Sequence, residues 1–308
     1  MTAASMPAPS PPSSRWAWLG DPKYLIVFLI TLVLAVGEWR FAILGGYWRL
    51  ATTLGVCMAT ELVFSWFVRG KVASLQSAYV SGISMSLLTK PIPGLVWPFA
   101  LGGFLAIASK YALTYRGRHL WNPTNFAICL LLLLAPESVA VLSHQWGNEF
   151  ATNAVIWAFG LVIAARARVV HITLTYVACF VALAWLRTAL FGGALATEIA
   201  PLTGPMYQLF VFFMVTDPRT VVPGKRAQMG VVAMVALVEA LIRVAGDHAV
   251  PYLTPLYAAP PLFALTIVGP VAMLIYMRGS RERGSGASGT PTAGTPTAGT
   301  TTAGTTTA

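Results

Sequence analysis

The chain has 308 residues, of which 56% are hydrophobic and 10% charged, with a mean hydropathy of +0.70 and a formal charge of +10. A water-soluble domain carries about 25% charged residues, so this composition excludes an ordinary soluble enzyme and points to a lipid bilayer as the solvent. The basic residues flank apolar segments, which makes the positive charge a feature of membrane topology rather than a nucleic-acid surface.

In chain order, residues 1–20 are rich in Pro, Ser and Ala and are expected to be disordered. They lack the basic-then-apolar order of a cleavable signal peptide. A transmembrane domain over 21–279 follows, with apolar runs near 24–44, 49–68, 74–89, 95–112, 122–136, 151–165, 169–190, 205–217, 227–245 and 256–277. These runs are continuous rather than alternating, so they predict helices and not barrel strands. Several are shorter than the roughly 20 residues a full crossing needs. Residues 280–308 hold Gly/Thr/Pro/Ala repeats and read as a low-complexity tail without chemistry.

Charge orients this arrangement. With ten crossings, fifteen Lys and Arg fall on one side, among them Arg69, Lys110, Arg116, Arg118, Arg166, Lys225 and Arg278. Five fall on the other: Arg40, Arg49, Lys90, Arg187 and Arg243. The richer side is expected to be cytoplasmic, which places both termini inside a multi-pass protein of the cell membrane.

Two short runs end alike. The third closes with Thr89-Lys90-Pro91 and the eighth with Thr216-Asp217-Pro218, and they stand five segments apart. The fifth opens with Asn122-Pro123-Thr124-Asn125, and Thr254-Pro255 precedes the tenth; both are helix-start signals. The pattern predicts two inverted five-helix repeats, about 21–136 and 151–278, whose interrupted helices meet inside and line a site.

Polar residues within these runs supply the candidate functional groups. Asn122, Thr124 and Asn125 could hydrogen-bond a cofactor edge or a neutral solute, or else cap the fifth helix and tie it to the third or eighth. Thr216 and Asp217 could form a polar wall, or Asp217 could pair with Arg219 to shape a turn. Glu61 stands about 12 Å along its helix from Arg69, as an intramembrane candidate. Glu239 and Arg243, four residues apart, should pair. The tryptophans near segment ends, such as Trp39, Trp48, Trp97 and Trp121, fit an interfacial belt. Cys57, Cys129 and Cys179 stand singly, without the spacing of a cysteine-held zinc or iron–sulfur site. No catalytic constellation or metal-ligand cluster is evident.

At these residues the chain resembles the RnfD/NqrB family, the membrane subunits of Rnf and sodium-pumping NADH:quinone oxidoreductase complexes. The similarity lies in Arg118-His119-Leu120-Trp121-Asn122-Pro123-Thr124-Asn125-Phe126, in Phe212-Phe213-Met214-Val215-Thr216-Asp217-Pro218, and in Leu241-Ile242-Arg243-Val244 with Gly224-Lys225 before it. A looser match is Ser77-Ala78-Tyr79-Val80-Ser81-Gly82, and order and spacing agree from about residue 20 to 278. Within the family the chain looks most similar to the RnfD-like proteins encoded with enediyne biosynthesis.

The resemblance implies an all-α integral membrane fold related to urea transporters. It also implies FMN or riboflavin binding and a role as an electron-transport subunit beside other membrane redox subunits. Family members attach FMN to the last residue of a Ser/Thr-Gly-Ala-Thr motif, which is absent here, so flavin is expected to be non-covalent. The corresponding loop, 191–204, offers Thr197, next to Glu198, and Thr203-Gly204 at the start of the eighth helix. Thr203 there could face an anion or act as an N-cap. The flavin residues expected on this basis are Asn122, Thr124, Asn125, Thr203, Gly204, Thr216 and Asp217. A transporter or channel for a small metabolite, and a cofactor-free scaffold, are the alternatives for the same fold.

Overall fold

A computed structural model describes residues 22–141, 150–217 and 220–287 of the chain. The N-terminal stretch 1–20, the tail beyond Ala287, and Pro218 and Arg219 lie outside the described residues. The chain divides into two units, residues 1–273 and 274–308, and the site residues discussed below belong to the first.

The described residues are mostly helical. In order they form α1 (Pro22–Phe41), α2 (Tyr47–Arg69), α3 (Gln76–Leu88), α4 (Trp97–Ala112), α5 (Pro123–Leu134), α6 (Phe150–Arg166) and α7 (Val170–Phe191). Then come the short α8 (Leu195–Ile199), α9 (Pro205–Leu209), α10 (Lys225–Asp247), the single turn α11 (Thr254–Tyr257) and α12 (Pro260–Ala287). A helix thus lies on each apolar run read from the sequence. Length and composition qualify four to cross a bilayer: α2, α7, α10 and Pro260–Gly279 of α12. At 1.5 Å per residue, α3 with 13 residues and α5 with 12 reach only about 20 Å, against a hydrocarbon core of about 30 Å. The last helix departs from expectation at its end, running to Ala287 through residues assigned to the tail.

Solvent preference is inverted relative to a soluble protein. Leu62, Val63, Trp66, Phe67 and Val68 of α2 and Leu174, Val181, Trp185, Leu186 and Leu190 of α7 are exposed, while Glu61, Lys110, Asn125, Gln208 and Glu239 are buried. Apolar faces outside and polar groups inside suit a lipid environment.

Small residues set the closest helix packing. Helices α2 and α4 are pressed together because Gly103 has no side chain: a Cβ there would come within 3.3 Å of the Thr53 carbonyl and 3.2 Å of Cys57 Sγ. Such close approach is how helices associate where lipid removes the hydrophobic drive. Gly70, at φ +63, ends α2 by donating its N–H to the Trp66 carbonyl. Helices α7 and α10 also pack closely.

Four short strands complete the fold among the described residues. β1 (Thr89–Pro91) continues from α3 and pairs antiparallel with β4 (Val139–Val141), in the register Thr89↔Val141, Lys90↔Ala140 and Pro91↔Val139. This ribbon ties the end of α3 to the chain that follows α5. β2 (Thr114–Tyr115) and β3 (Arg118–His119) make a hairpin between α4 and α5.

Candidate functional site

The interior polar groups gather at three places. The first is the start of α5. Asn122 takes an extended conformation and its Oδ1 accepts the Asn125 N–H at 3.1 Å, with Pro123 following, which is an N-cap. Its amide Nδ2 then donates to Asp217 Oδ2 at 3.1 Å, across 95 residues of sequence. Asn125, 1% exposed, donates to the Leu262 carbonyl at 3.0 Å and to Thr266 Oγ1 at 2.7 Å. Trp121 Nε1 donates to the Thr266 carbonyl at 2.9 Å. The expected tie from Asn125 to the third or eighth helix is therefore replaced by one to α12: the first turns of α5 and α12 lie against each other. Thr124 and Thr216 are buried, and the Thr216 hydroxyl donates back to the Phe212 carbonyl at 2.6 Å. That carbonyl belongs to a π-helical turn, Phe210–Met214, that extends α9, a distortion often found at functional sites.

Thr203 and Gly204 do not join this group. Thr203 is exposed and its hydroxyl donates to the Ala200 carbonyl at 2.7 Å. The N-cap of α9 is Gly204, without a side-chain cap bond, so the expected capping role of Thr203 is not taken up. Glu198, in the same loop, pairs with Arg187 at 2.8 Å.

Tested against the flavin that the family resemblance implies, these residues do not fit. The cavity beside Asn122, lined also by Trp121, Val215, Thr220 and Gln228, measures about 20 Å³. That is room for one water, whereas pockets for organic ligands run to about 300–1,000 Å³. The amide nitrogens of Asn122 and Asn125 are committed to Asp217 and α12, and the exposed Thr203 ends a 3-10 turn, Ala200–Thr203.

The second place is α10. Glu239 is fully buried and accepts hydrogen bonds from the hydroxyls of Tyr176 on α7 and Tyr207 on α9. Arg243 Nε completes the expected pair at 3.1 Å, and its guanidinium also donates to the Tyr207 hydroxyl. The third place lies between α2 and α4. Glu61 accepts the Tyr111 hydroxyl at 2.6 Å and faces Lys110 Nζ at 3.5 Å, while Lys110 also donates to Ser77 Oγ at 3.0 Å. A carboxylate in a low-dielectric interior is costly unless paired and hydrogen-bonded, and both are.

Sequence reasoning flagged both carboxylates as ionisable groups in apolar runs but missed Tyr176, Tyr207, Lys110 and Tyr111 as partners. Lys110 carried a usable signal, since it falls inside an apolar helix; the tyrosines carry none, because their partners lie on other helices. Gln228, which meets His171 Nε2 at 2.6 Å and donates to the Val222 carbonyl at 3.0 Å, was also missed. Among the described residues, no three of His, Cys, Asp and Glu gather as metal ligands. No family model matches the chain, and no curated protein matches it either.

Proposed function

We propose that the chain is an RnfD/NqrB-like subunit of a membrane electron-transport assembly. It crosses the cell membrane ten times in two inverted halves, with both termini on the cytoplasmic side. In this reading any flavin is held outside the packed centre or by a partner subunit, and the chain supplies a sealed platform within the bilayer.

One observation carries the reading. The two stretches of sequence most similar to the family, around Asn122 and around Asp217, are hydrogen-bonded to each other, and Arg118 of the first donates to the Val221 carbonyl just after the second at 3.1 Å. The inverted repeat has separate support. The second and fourth helices of each half, α2 with α4 and α7 with α10, pack as close pairs. Each pair holds a buried carboxylate with tyrosine and a basic residue. The short α3 and α5 are of the interrupted kind such folds use.

The test is purification of the tagged chain from its own membranes in mild detergent. The expected result is a larger assembly with the visible spectrum of flavin or iron–sulfur groups, and a colourless chain once the partners are stripped away. A chain that emerges alone and moves a small metabolite across liposomes would establish the transporter alternative instead.

A further inference from the structure

Beside the Glu61–Lys110 pair lies an open basin of about 530 Å³, lined by Val68, Arg69, Lys110, Tyr111, Thr114, Gly117, Arg118 and His119. Two of these residues, Arg69 and Arg118, carry guanidinium groups, Lys110 carries an amine and His119 an imidazole; no carboxylate belongs to the lining. Glu61 stands behind the wall, with its oxygens turned to Tyr111 and Lys110. Arg69 is placed over the Tyr111 ring, 5.0 Å from its centroid, and Arg118 is held by the Val221 carbonyl. The cations are thus fixed in position before any ligand arrives, which lowers the ordering cost of binding. Thr114 adds a hydroxyl, and Gly117, at φ +75, turns the hairpin without a side chain that would fill the space.

We infer that this basin binds the phosphate group of an anionic ligand. Guanidinium groups match phosphate oxygens in geometry and charge. Two sources present that chemistry here: the headgroup of an anionic phospholipid and a phosphate-bearing solute. The surroundings favour the lipid. Trp66, Phe67 and Val68 of α2, exposed and apolar, run straight into Arg69 at the rim, so an acyl chain could lie along α2 while its headgroup enters the basin. Basic pockets between membrane helices on the cytoplasmic side recognise anionic headgroups in this way. The inference does not depend on the electron-transport reading.

Native mass spectrometry of the purified full chain, loaded with phosphatidylglycerol or phosphatidylcholine, tests it. The wild type should retain phosphatidylglycerol in preference to phosphatidylcholine. Arg69→Gln and Arg118→Gln should each weaken that retention about fivefold, the effect of one cation near an anionic surface. Arg116→Gln, which removes the same charge from the same hairpin outside the basin, should leave it unchanged. Arg69 is exposed at a helix end, so its variant stays informative even if Arg118→Gln folds poorly. A second arm adds inorganic phosphate and follows thermal stability: stabilisation that Arg69→Gln abolishes, with no lipid preference, assigns the site to a solute phosphate. Equal retention of both lipids together with no response to phosphate would overturn the proposal. So would an Arg116→Gln loss as large as that of the basin variants.

Discussion

Glu239 is the position where the interior is most exposed to a single change. Replacing it with Gln keeps the shape and an acceptor for one tyrosine, but leaves the Arg243 guanidinium without its carboxylate. Removing one partner of a buried ion pair costs about 3–5 kcal/mol; Arg243 keeps 18% of its side chain exposed, so the lower figure, about 3 kcal/mol, applies. For a protein of this size that is a fall of roughly 5 °C in Tm. Arg243→Met should be milder, near 2 kcal/mol, because the Tyr176 and Tyr207 hydroxyls still solvate the carboxylate. The double variant Glu239→Gln/Arg243→Met removes both charges, and should recover about 1–2 kcal/mol of the Glu239→Gln loss. The assay is thermal unfolding of the detergent-purified protein, followed by size-exclusion chromatography. If the two losses simply add, the guanidinium is not the source of the instability and the account of this cluster is wrong.

Other outcomes follow from the same packing. Asn125→Ala should lower stability by about 1–3 kcal/mol, since it strips the Leu262 carbonyl and Thr266 of a buried donor; an unchanged Tm would mean the α5–α12 contact is not held by this amide. Gly160→Ala places a methyl within 2.4 Å of the Phe212 ring and should cost about 1–3 kcal/mol by overpacking. Phe212→Leu in the same chain should restore part of that loss, and a melt that does not improve would count against direct contact. For topology, Ser74→Cys should react with an impermeant maleimide only after cells are opened, and Thr197→Cys in intact cells. Labelling of both from one side would sink the ten-crossing arrangement. Acid-precipitated protein should carry no flavin fluorescence, because no attachment motif is present; a fluorescent pellet would show a covalent link elsewhere.

Much of the architecture could be read from solvent preference alone. Long uniform apolar runs such as 170–191 must bury their backbone polar groups in helices wherever they lie, so helix positions followed directly. The Asn122 cap and the Glu239–Arg243 pair were also readable, because each depends on residues three or four apart. What escaped were relations across the fold. Nothing near Asn125 announces that its partners are Leu262 and Thr266, and nothing near Tyr176 or Tyr207 marks them as donors to Glu239. The size of the space beside Asn122 was illegible for a related reason. Resemblance between short polar motifs reports which residues meet, but the volume left between them is set by the apolar side chains around, here Val215, Val231 and Leu265.

The meeting of α5 and α12 by their first turns has an electrical consequence. Each helix start carries roughly half a positive charge from its aligned peptide dipoles, and both starts sit in the same dry interior around Asn125. The Asp217 carboxylate, which accepts from the Asn122 amide at 3.1 Å, is set against the first of these and offsets it. Asp217 therefore acts as a countercharge to the start of α5, holding an anion where aligned peptide dipoles favour one.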